Sequence, residues 1–212
     1  MKLYSFFNSS TSYRVRIALA LKGLPYDYQG INLREGQQCS PAHRELSPIG
    51  GVPVLETDGA VLTQSLAIID YLETLHPEPR LIPIDALHRA RVLEIANLIG
   101  CDIHPLNNVR VLNYLQKVLA ITAEQKSAWY KHWIAEGLSA VEALLQRNDS
   151  GNYCVGDKPG LAECCLVPQV ANAERMGCDL SGYPRIMAVY RHCLELPAFE
   201  AAAPARQPDF IL

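Results

Sequence analysis

Four hydroxyl side chains in a row follow the first apolar run of the chain, and they are Ser9, Ser10, Thr11 and Ser12. The apolar run, residues 3–7, is typical of a short β-strand, and residues 13–22 have the spacing of a helix. A turn from strand into helix presents free backbone N–H groups and the positive end of the helix dipole, which favour an anion. Hydroxyl groups at such a turn can also donate hydrogen bonds to a bound thiolate. The alternative is plain helix capping, which accounts for one of the four hydroxyls.

A second pair of motifs consists of Val52-Pro53 and, twelve residues later, Gln64-Ser65. A proline at the entry to a strand is unusual unless its peptide bond is cis or the strand lies at an edge. A cis bond would turn the N–H and C=O of Val52 toward a peptide ligand, which could pair with them as an extra strand. Gln64 and Ser65 begin a helical segment and offer a hydroxyl and backbone amides to a carboxylate. The alternative is an edge proline and an ordinary helix cap.

The elements that must position these residues change in type near residue 80. Residues 1–80 read as strand, helix, strand, a short helix, a hairpin at Thr57-Asp58-Gly59-Ala60 and a last helix. Strand, helix and strand in succession predict parallel strands with a right-handed crossover, and the hairpin adds an antiparallel pair. We therefore predict a thioredoxin-like α/β domain over residues 1–80.

The rest of the chain has helical patterns and, over residues 86–203, no convincing strand. Asp85 is the predicted cap of a long helix, Pro105 permits a bend or restart, and Thr122 with Gln125 forms a capping box for the next helix. Further helices are predicted over residues 160–175 and 184–194. We therefore predict an all-helical domain over residues 86–212, joined to the first domain by the proline-rich residues 76–83.

The amino-acid composition argues against several classes of protein. The 212 residues carry 19 Lys+Arg against 22 Asp+Glu, and 49% of them are hydrophobic, which favours a folded core. The sequence has no basic run to attract nucleic acid and no stretch near the roughly 18 apolar residues of a membrane span. It also has no signal-peptide pattern, so we expect a cytoplasmic protein. Seven cysteines without a paired spacing suit reduced thiols, and no metal site is predicted, since Cys101 with His104 is only a weak signal.

Taken together, the sequence resembles a zeta-class glutathione transferase. The zeta signature Ser-Ser-Cys-x-x-x-Val-Arg corresponds to residues 9–16, read here as Ser-Ser-Thr-Ser-Tyr-Arg-Val-Arg. The resemblance extends over essentially the whole chain, including Val52-Pro53, the segment 64–69 and the segment 166–175. It implies the glutathione transferase fold. Two departures stand out: Thr11 replaces the family's cysteine, and Gly160 with Glu163 replaces a stronger capping pair, which predicts a less firmly started helix.

The resemblance implies a glutathione-dependent cis–trans isomerase of maleylpyruvate or maleylacetoacetate in aromatic catabolism. The reaction would proceed by thiolate addition, rotation about the new single bond and elimination, with glutathione regenerated. Ser9 is the expected donor to the thiolate, with Ser10 and Thr11 in support. Further glutathione contacts are expected from Gln38 and Val52 at the glycyl and cysteinyl parts and from Gln64 and Ser65 at the γ-glutamyl end.

The substrate of such an enzyme is a dianionic keto-acid, which arginine suits because its planar fork binds carboxylates in bidentate fashion. Arg175 is the first candidate and Arg110 the second, whereas Arg14 and Arg16 are expected to be structural. The resemblance also implies a homodimer in which the helical domain of one subunit edges the partner's glutathione site. The residues expected there are Asp102, His104 and Asn108, although His104 could equally be structural.

Two other functions remain open at this stage. A general detoxifying glutathione transferase or peroxidase would use the same thiolate but consume glutathione stoichiometrically. A non-enzymatic binding module would be expected to have lost the thiolate site, whereas Ser9, Val52-Pro53 and Gln64-Ser65 are all present.

Overall fold

Four strands form one sheet in the computed structural model, which describes residues 1–148 and 150–211. They are β1 (Lys2–Ser5), β2 (Asp27–Gly30), β3 (Val54–Thr57) and β4 (Ala60–Thr63), in the spatial order β2-β1-β3-β4. β1 and β2 are parallel, whereas β3 is antiparallel to both β1 and β4. Asp58 and Gly59 both have positive φ, as a tight hairpin turn requires. The predicted thioredoxin-like order is confirmed.

Helices α1 (Ser10–Leu21), α2 (Pro41–Leu46) and α3 (Ser65–Leu75) complete this part of the chain. Helix α1 begins at Ser10 rather than at residue 13, because the Ser9 hydroxyl caps it by accepting the Ser12 N–H at 3.2 Å. Apolar side chains of β1, β3, α1 and α3 are fully buried and form the core, among them Leu3, Val15, Ile17, Leu19, Val54, Leu55, Ile68, Ile69 and Leu72.

The chain divides into two compact units: the first joins residues 1–81 to the segment from Leu194 onward, and the second is Ile82–Cys193. The end of the chain therefore packs with the first unit, whereas the sequence prediction placed it in the helical domain. Hydrogen bonds as well as apolar packing hold this segment to the first unit. In α10 (Pro197–Ala202), the carbonyl of Ala202 accepts from Arg16 of α1 at 2.9 Å, and farther on Asp209 accepts from the Phe7 N–H at 3.1 Å.

The second unit is helical throughout its described residues. Its helices are α4 (Ala86–Asn97), α5 (His104–Asn107), α6 (Val109–Lys117), α7 (Ala123–Arg147), α8 (Leu161–Arg175) and α9 (Pro184–Leu194), the last ending one residue beyond the unit. Asp85 caps α4 and the capping box of Thr122 and Gln125 begins α7, as predicted. A π-helical stretch, Leu98–Ile103, lies between α4 and α5. It runs so close to α7 that a Cβ at Gly137 would lie 2.2 Å from Ile103 Cγ1, a spacing that only glycine permits.

Helix α8 is firmly started, contrary to the expectation from its cap residues. The Glu163 side chain is 1% exposed and accepts two backbone N–H groups, from Cys154 and Gly160, both at 2.6 Å. Glutamate is long enough to reach back past the helix start, so it ties the preceding loop to α8 even though Gly160 has no capping side chain. Burial raises the pKa of Glu163, and the two N–H donors oppose that effect.

Replacing Glu163 by alanine is expected to lower the free energy of unfolding by about 2–4 kcal/mol, because two buried N–H groups lose their acceptor. Urea denaturation monitored by circular dichroism measures the change. Glu136→Ala, at an exposed position of α7, is the matched control and should stay within about 0.5 kcal/mol of the parent protein. A loss for Glu163→Ala no larger than that of the control would contradict the assigned role.

Candidate functional site

A chain of hydrogen bonds joins the start of α1 to the segment before β3. The Ser12 N–H donates to Ser9 Oγ at 3.2 Å, Ser9 Oγ lies 2.9 Å from Thr11 Oγ1, and Thr11 Oγ1 donates to the Val52 carbonyl at 2.9 Å. Ser9, Thr11 and Val52, predicted separately from the sequence, are thus brought together. Ser10 is the first residue of α1 and is buried.

These hydrogen bonds also determine which hydroxyl is the donor between Ser9 and Thr11. A hydroxyl has a single proton, and that of Thr11 is given to the Val52 carbonyl. Ser9 must therefore donate to Thr11, because Thr11 has no second proton to offer. Of these three hydrogen bonds, only the one from Ser9 to Thr11 joins two side chains, whereas the other two involve backbone groups. The Ser9 proton can therefore be turned toward a ligand without releasing α1 or Val52.

The Val52–Pro53 peptide bond is cis, which agrees with one of the two predicted alternatives. Gly51, the residue before Val52, is held through both of its backbone polar groups. His43 Nε2 lies 2.9 Å from the Gly51 carbonyl, and the Gly51 N–H donates to Ser47 Oγ at 3.1 Å. The Val52 carbonyl accepts from Thr11 and keeps a second lone pair for a ligand donor. This arrangement offers a peptide ligand an ordered backbone edge.

Gln38 lies beside the same loop, since its carbonyl would be 3.1 Å from a Cβ at Gly50. Its side-chain amide donates weakly to the Leu33 carbonyl at 3.5 Å. Its Oε1 is buried, and among residues 1–148 and 150–211 it has no hydrogen-bond partner. A buried amide oxygen without a donor is costly, so Gln38 is suited to accept an N–H from a ligand.

Gln64 and Ser65 form the start of α3. Gln64 has φ 70° and ψ 113°, a left-handed conformation that costs a non-glycine residue of order 1–3 kcal/mol. Its side chain is exposed, whereas Ser65 is 5% exposed and its hydroxyl accepts from Arg14 Nη1 at 3.3 Å. Strain of this kind persists where the surrounding structure enforces it, which is common at binding sites.

In the second unit, four predicted residues lie on or just after the π-helical stretch. Asp102 is exposed within it, His104 is half-buried at the start of α5, and Arg110 is exposed on α6. The side chain of Asn108 caps α6 by accepting the Val111 N–H at 3.0 Å, so it has a structural role. π-Helical turns inside helical segments are frequent at functional sites.

Arg175 is exposed at the end of α8, and its Nη2 donates to Asn172 Oδ1 at 3.0 Å. Burial raises the pKa of Tyr130 to about 12, and the charge of Arg175 acts against that rise. The Tyr130 carbonyl in turn accepts from Asn107 at 3.1 Å. Tyr130 of α7 is thus within electrostatic reach of Arg175, and its backbone is bonded to Asn107 just before Asn108.

Sequence reasoning missed the residues that hold this site in place. His43 and Ser47 fix Gly51, and Asp209 fixes Phe7 just before the hydroxyl turn. No local pattern marks them, because each acts through a bond to backbone elsewhere in the chain. Within the described residues, no group of three or more His, Cys, Asp or Glu side chains could hold a metal ion, and no helix is long and apolar enough to cross a membrane.

The sequence is similar to those of known proteins. Residues 3–80 match the family model of the glutathione S-transferase N-terminal domain. A maleylacetoacetate isomerase of Pseudomonas aeruginosa is 50% identical over 212 residues, covering 99% of this chain and 98% of that protein.

Solved structures are similar over the full length. The holo structure of a maleylpyruvate isomerase, described as a bacterial zeta-class glutathione S-transferase, has a TM-score of 0.97, 48% identity and 100% coverage of both chains. A maleylacetoacetate isomerase from Methylobacterium extorquens AM1, solved with bound malonate and GSH, has a TM-score of 0.96, 34% identity and 100% coverage of both chains. The fold, the predicted signature and these full-length similarities agree: the chain belongs to the glutathione S-transferase family, in the zeta-class branch of maleylpyruvate and maleylacetoacetate isomerases.

Proposed function

We propose that this protein is a glutathione-dependent cis–trans isomerase that converts maleylpyruvate or maleylacetoacetate to the fumaryl product in aromatic catabolism. The observation that carries the proposal is the Ser9 hydroxyl, held at the N-terminus of α1 with a proton that can be redirected, beside the backbone of Val52. Full-length relatives named as maleylpyruvate and maleylacetoacetate isomerases support the choice of reaction.

The residues present fit glutathione, a tripeptide with a carboxylate at each end. Val52 offers backbone groups to its cysteinyl part. The buried Oε1 of Gln38, which has no partner among residues 1–148 and 150–211, suits the glycyl N–H. The hydroxyl of Ser65 and the exposed amide of Gln64 suit the γ-glutamyl end. The structure of the Methylobacterium relative, solved with bound GSH, supports glutathione as the ligand.

When bound, glutathione supplies a thiolate that adds to the activated alkene carbon and leaves again after rotation about the single bond. A free thiol has a pKa near ~8.5, so the protein must favour its anionic form at neutral pH. Each lowering of the pKa by one requires about 1.4 kcal/mol of preferential binding to the anion. The Ser9 O–H and the positive end of α1 together lower the pKa of the thiol by about one to two. Ser10 and Thr11 support Ser9 in this role.

Arg175 and Arg110 are proposed to receive the carboxylates of the substrate. Both are exposed cations in the second unit, and the charge of Arg175 acts on the buried phenol of Tyr130, where it opposes the rise in pKa. Arginine offers two parallel N–H donors to a carboxylate, which orients a dianion as well as attracting it.

The proposal includes a cytoplasmic homodimer, in which Asp102, His104 and Asn108 of one subunit border the glutathione site of the partner. Membership of the family supports it. Light scattering on the purified protein should give a mass near twice 23.5 kDa.

The decisive test of the reaction is turnover of maleylpyruvate and maleylacetoacetate in parallel, with and without catalytic glutathione, while total free thiol is followed. We expect rapid isomerisation with thiol conserved, because the thiolate is regenerated in each cycle. The ratio of kcat/KM values identifies the preferred substrate. Absence of isomerisation, with steady loss of thiol to a generic electrophile, would instead mean a detoxifying transferase.

Ser9→Ala is expected to slow the reaction about tenfold or more at pH 7 and much less above pH 9, where the thiolate forms without help. The kcat/KM profile against pH measures this, and Ser9→Thr should restore the parent profile. Loss of the helix cap also lowers stability by about 1 kcal/mol, but this does not change with pH in that range. Thr74→Ala, an exposed hydroxyl on α3, is the control. An equal loss at all pH values would argue against thiolate stabilisation.

Arg175→Ala should cut kcat/KM for the dianionic substrate by tenfold or more, roughly the loss of one charge-assisted contact. Steady-state kinetics at saturating glutathione measures kcat/KM for the dianionic substrate separately from the binding of glutathione. Arg89→Ala, an exposed arginine of α4, controls for net charge. Kinetics as in the control would remove Arg175 from the site.

A further inference from the structure

Helix α1 carries a buried guanidinium whose bonding is incomplete. Arg14 is 2% exposed, and its Nη1 donates to Ser65 Oγ at 3.3 Å. Its Nε and Nη2 have no hydrogen-bond partner among residues 1–148 and 150–211. By contrast Arg16, two residues farther along the same helix, is 0% exposed and donates to four acceptors.

A buried charge is costly unless an opposite charge and hydrogen bonds accompany it. Arg14 has one neutral partner, a hydroxyl. Because that hydroxyl accepts from Arg14, its own proton is left to be donated outward. Ser65 is also the first residue of the eleven-residue helix α3, so backbone N–H groups and the helix dipole add positive potential at the same point. Three features therefore favour an anion here, and the buried cation lies behind the hydroxyl that would meet it.

We propose that Arg14 is a positioning residue that acts through Ser65: it orients the Ser65 hydroxyl as a donor and supplies the buried positive charge that makes the start of α3 selective for a carboxylate. This inference rests on the proposed function, in which the carboxylate is that of the γ-glutamyl residue of glutathione. Arg14 does not touch the reacting atoms. Its effect is on which ligand binds, not on the chemical step.

The test compares the Kd of glutathione with that of an analogue whose γ-glutamyl α-carboxylate is a primary amide, by isothermal titration calorimetry. The parent protein should prefer glutathione strongly. Arg14→Gln removes the charge but keeps an N–H donor, and Arg14→Met removes both. In each, the preference should fall about tenfold or more, while the Kd of the amide analogue changes little. Arg14→Lys should lie between the parent protein and Arg14→Gln.

Equal weakening of both ligands by Arg14→Gln would overturn the proposal, since a purely structural arginine would affect both alike. An unchanged preference would overturn it too. Arg206→Gln, at an exposed arginine of the same unit, controls for long-range charge and should leave the preference intact. Should Arg14→Met fail to fold, Arg14→Gln and Arg14→Lys decide the question. Failure of the proposed function looks different, because the parent protein would then not isomerise maleylpyruvate or maleylacetoacetate, whatever its preference between the two ligands.

Discussion

The first unit depends on two guanidinium groups that are buried in α1, a helix in which every residue from Ser12 to Leu19 is buried. Arg16 satisfies its charge inside the protein, through Ser5 Oγ and the carbonyls of Phe6, Phe7 and Ala202. Burial lowers its pKa, and these acceptors compensate part of the cost of keeping it charged. The bond to Ala202 explains why the end of the chain belongs to this unit: without α10, Arg16 would lose one of its four acceptors.

The same hydrogen bonds also hold the turn that carries the Ser9, Ser10 and Thr11 hydroxyls. Arg16 holds the carbonyls of Phe6 and Phe7, and Asp209 accepts the N–H of Phe7, so the residues immediately before Ser9 are held from two directions. Ser9 is in turn bonded to Thr11, and Thr11 is bonded to the Val52 carbonyl, so the turn is also fixed to the segment before β3. The proposed thiolate donor is therefore positioned by buried bonds on one side and by the backbone of Val52 on the other.

The features that sequence could predict are those with short-range physical causes. The Asp58-Gly59 turn, the Asp85 cap and the box of Thr122 and Gln125 each depend on a few adjacent residues, and all are present. The long-range contacts could not be found in this way, because the bond of Asp209 to Phe7 joins positions 202 residues apart. Glu163 shows the intermediate case: its position was recognised as a capping residue, but its reach to Cys154 was not.

The replacement of the family's cysteine by Thr11 can be understood from the same chain of bonds. A thiol is a weak donor and a weak acceptor, whereas a hydroxyl does both well. Thr11 can therefore receive the Ser9 proton and give its own to Val52 at the same time, each at 2.9 Å. Because the Thr11 proton is committed to backbone, Ser9 rather than Thr11 is left to donate to a sulfur placed at this turn. The substitution thus removes a protein thiol from the site and leaves the Ser9 hydroxyl as the proposed direct donor to the thiolate, with Thr11 holding it in place.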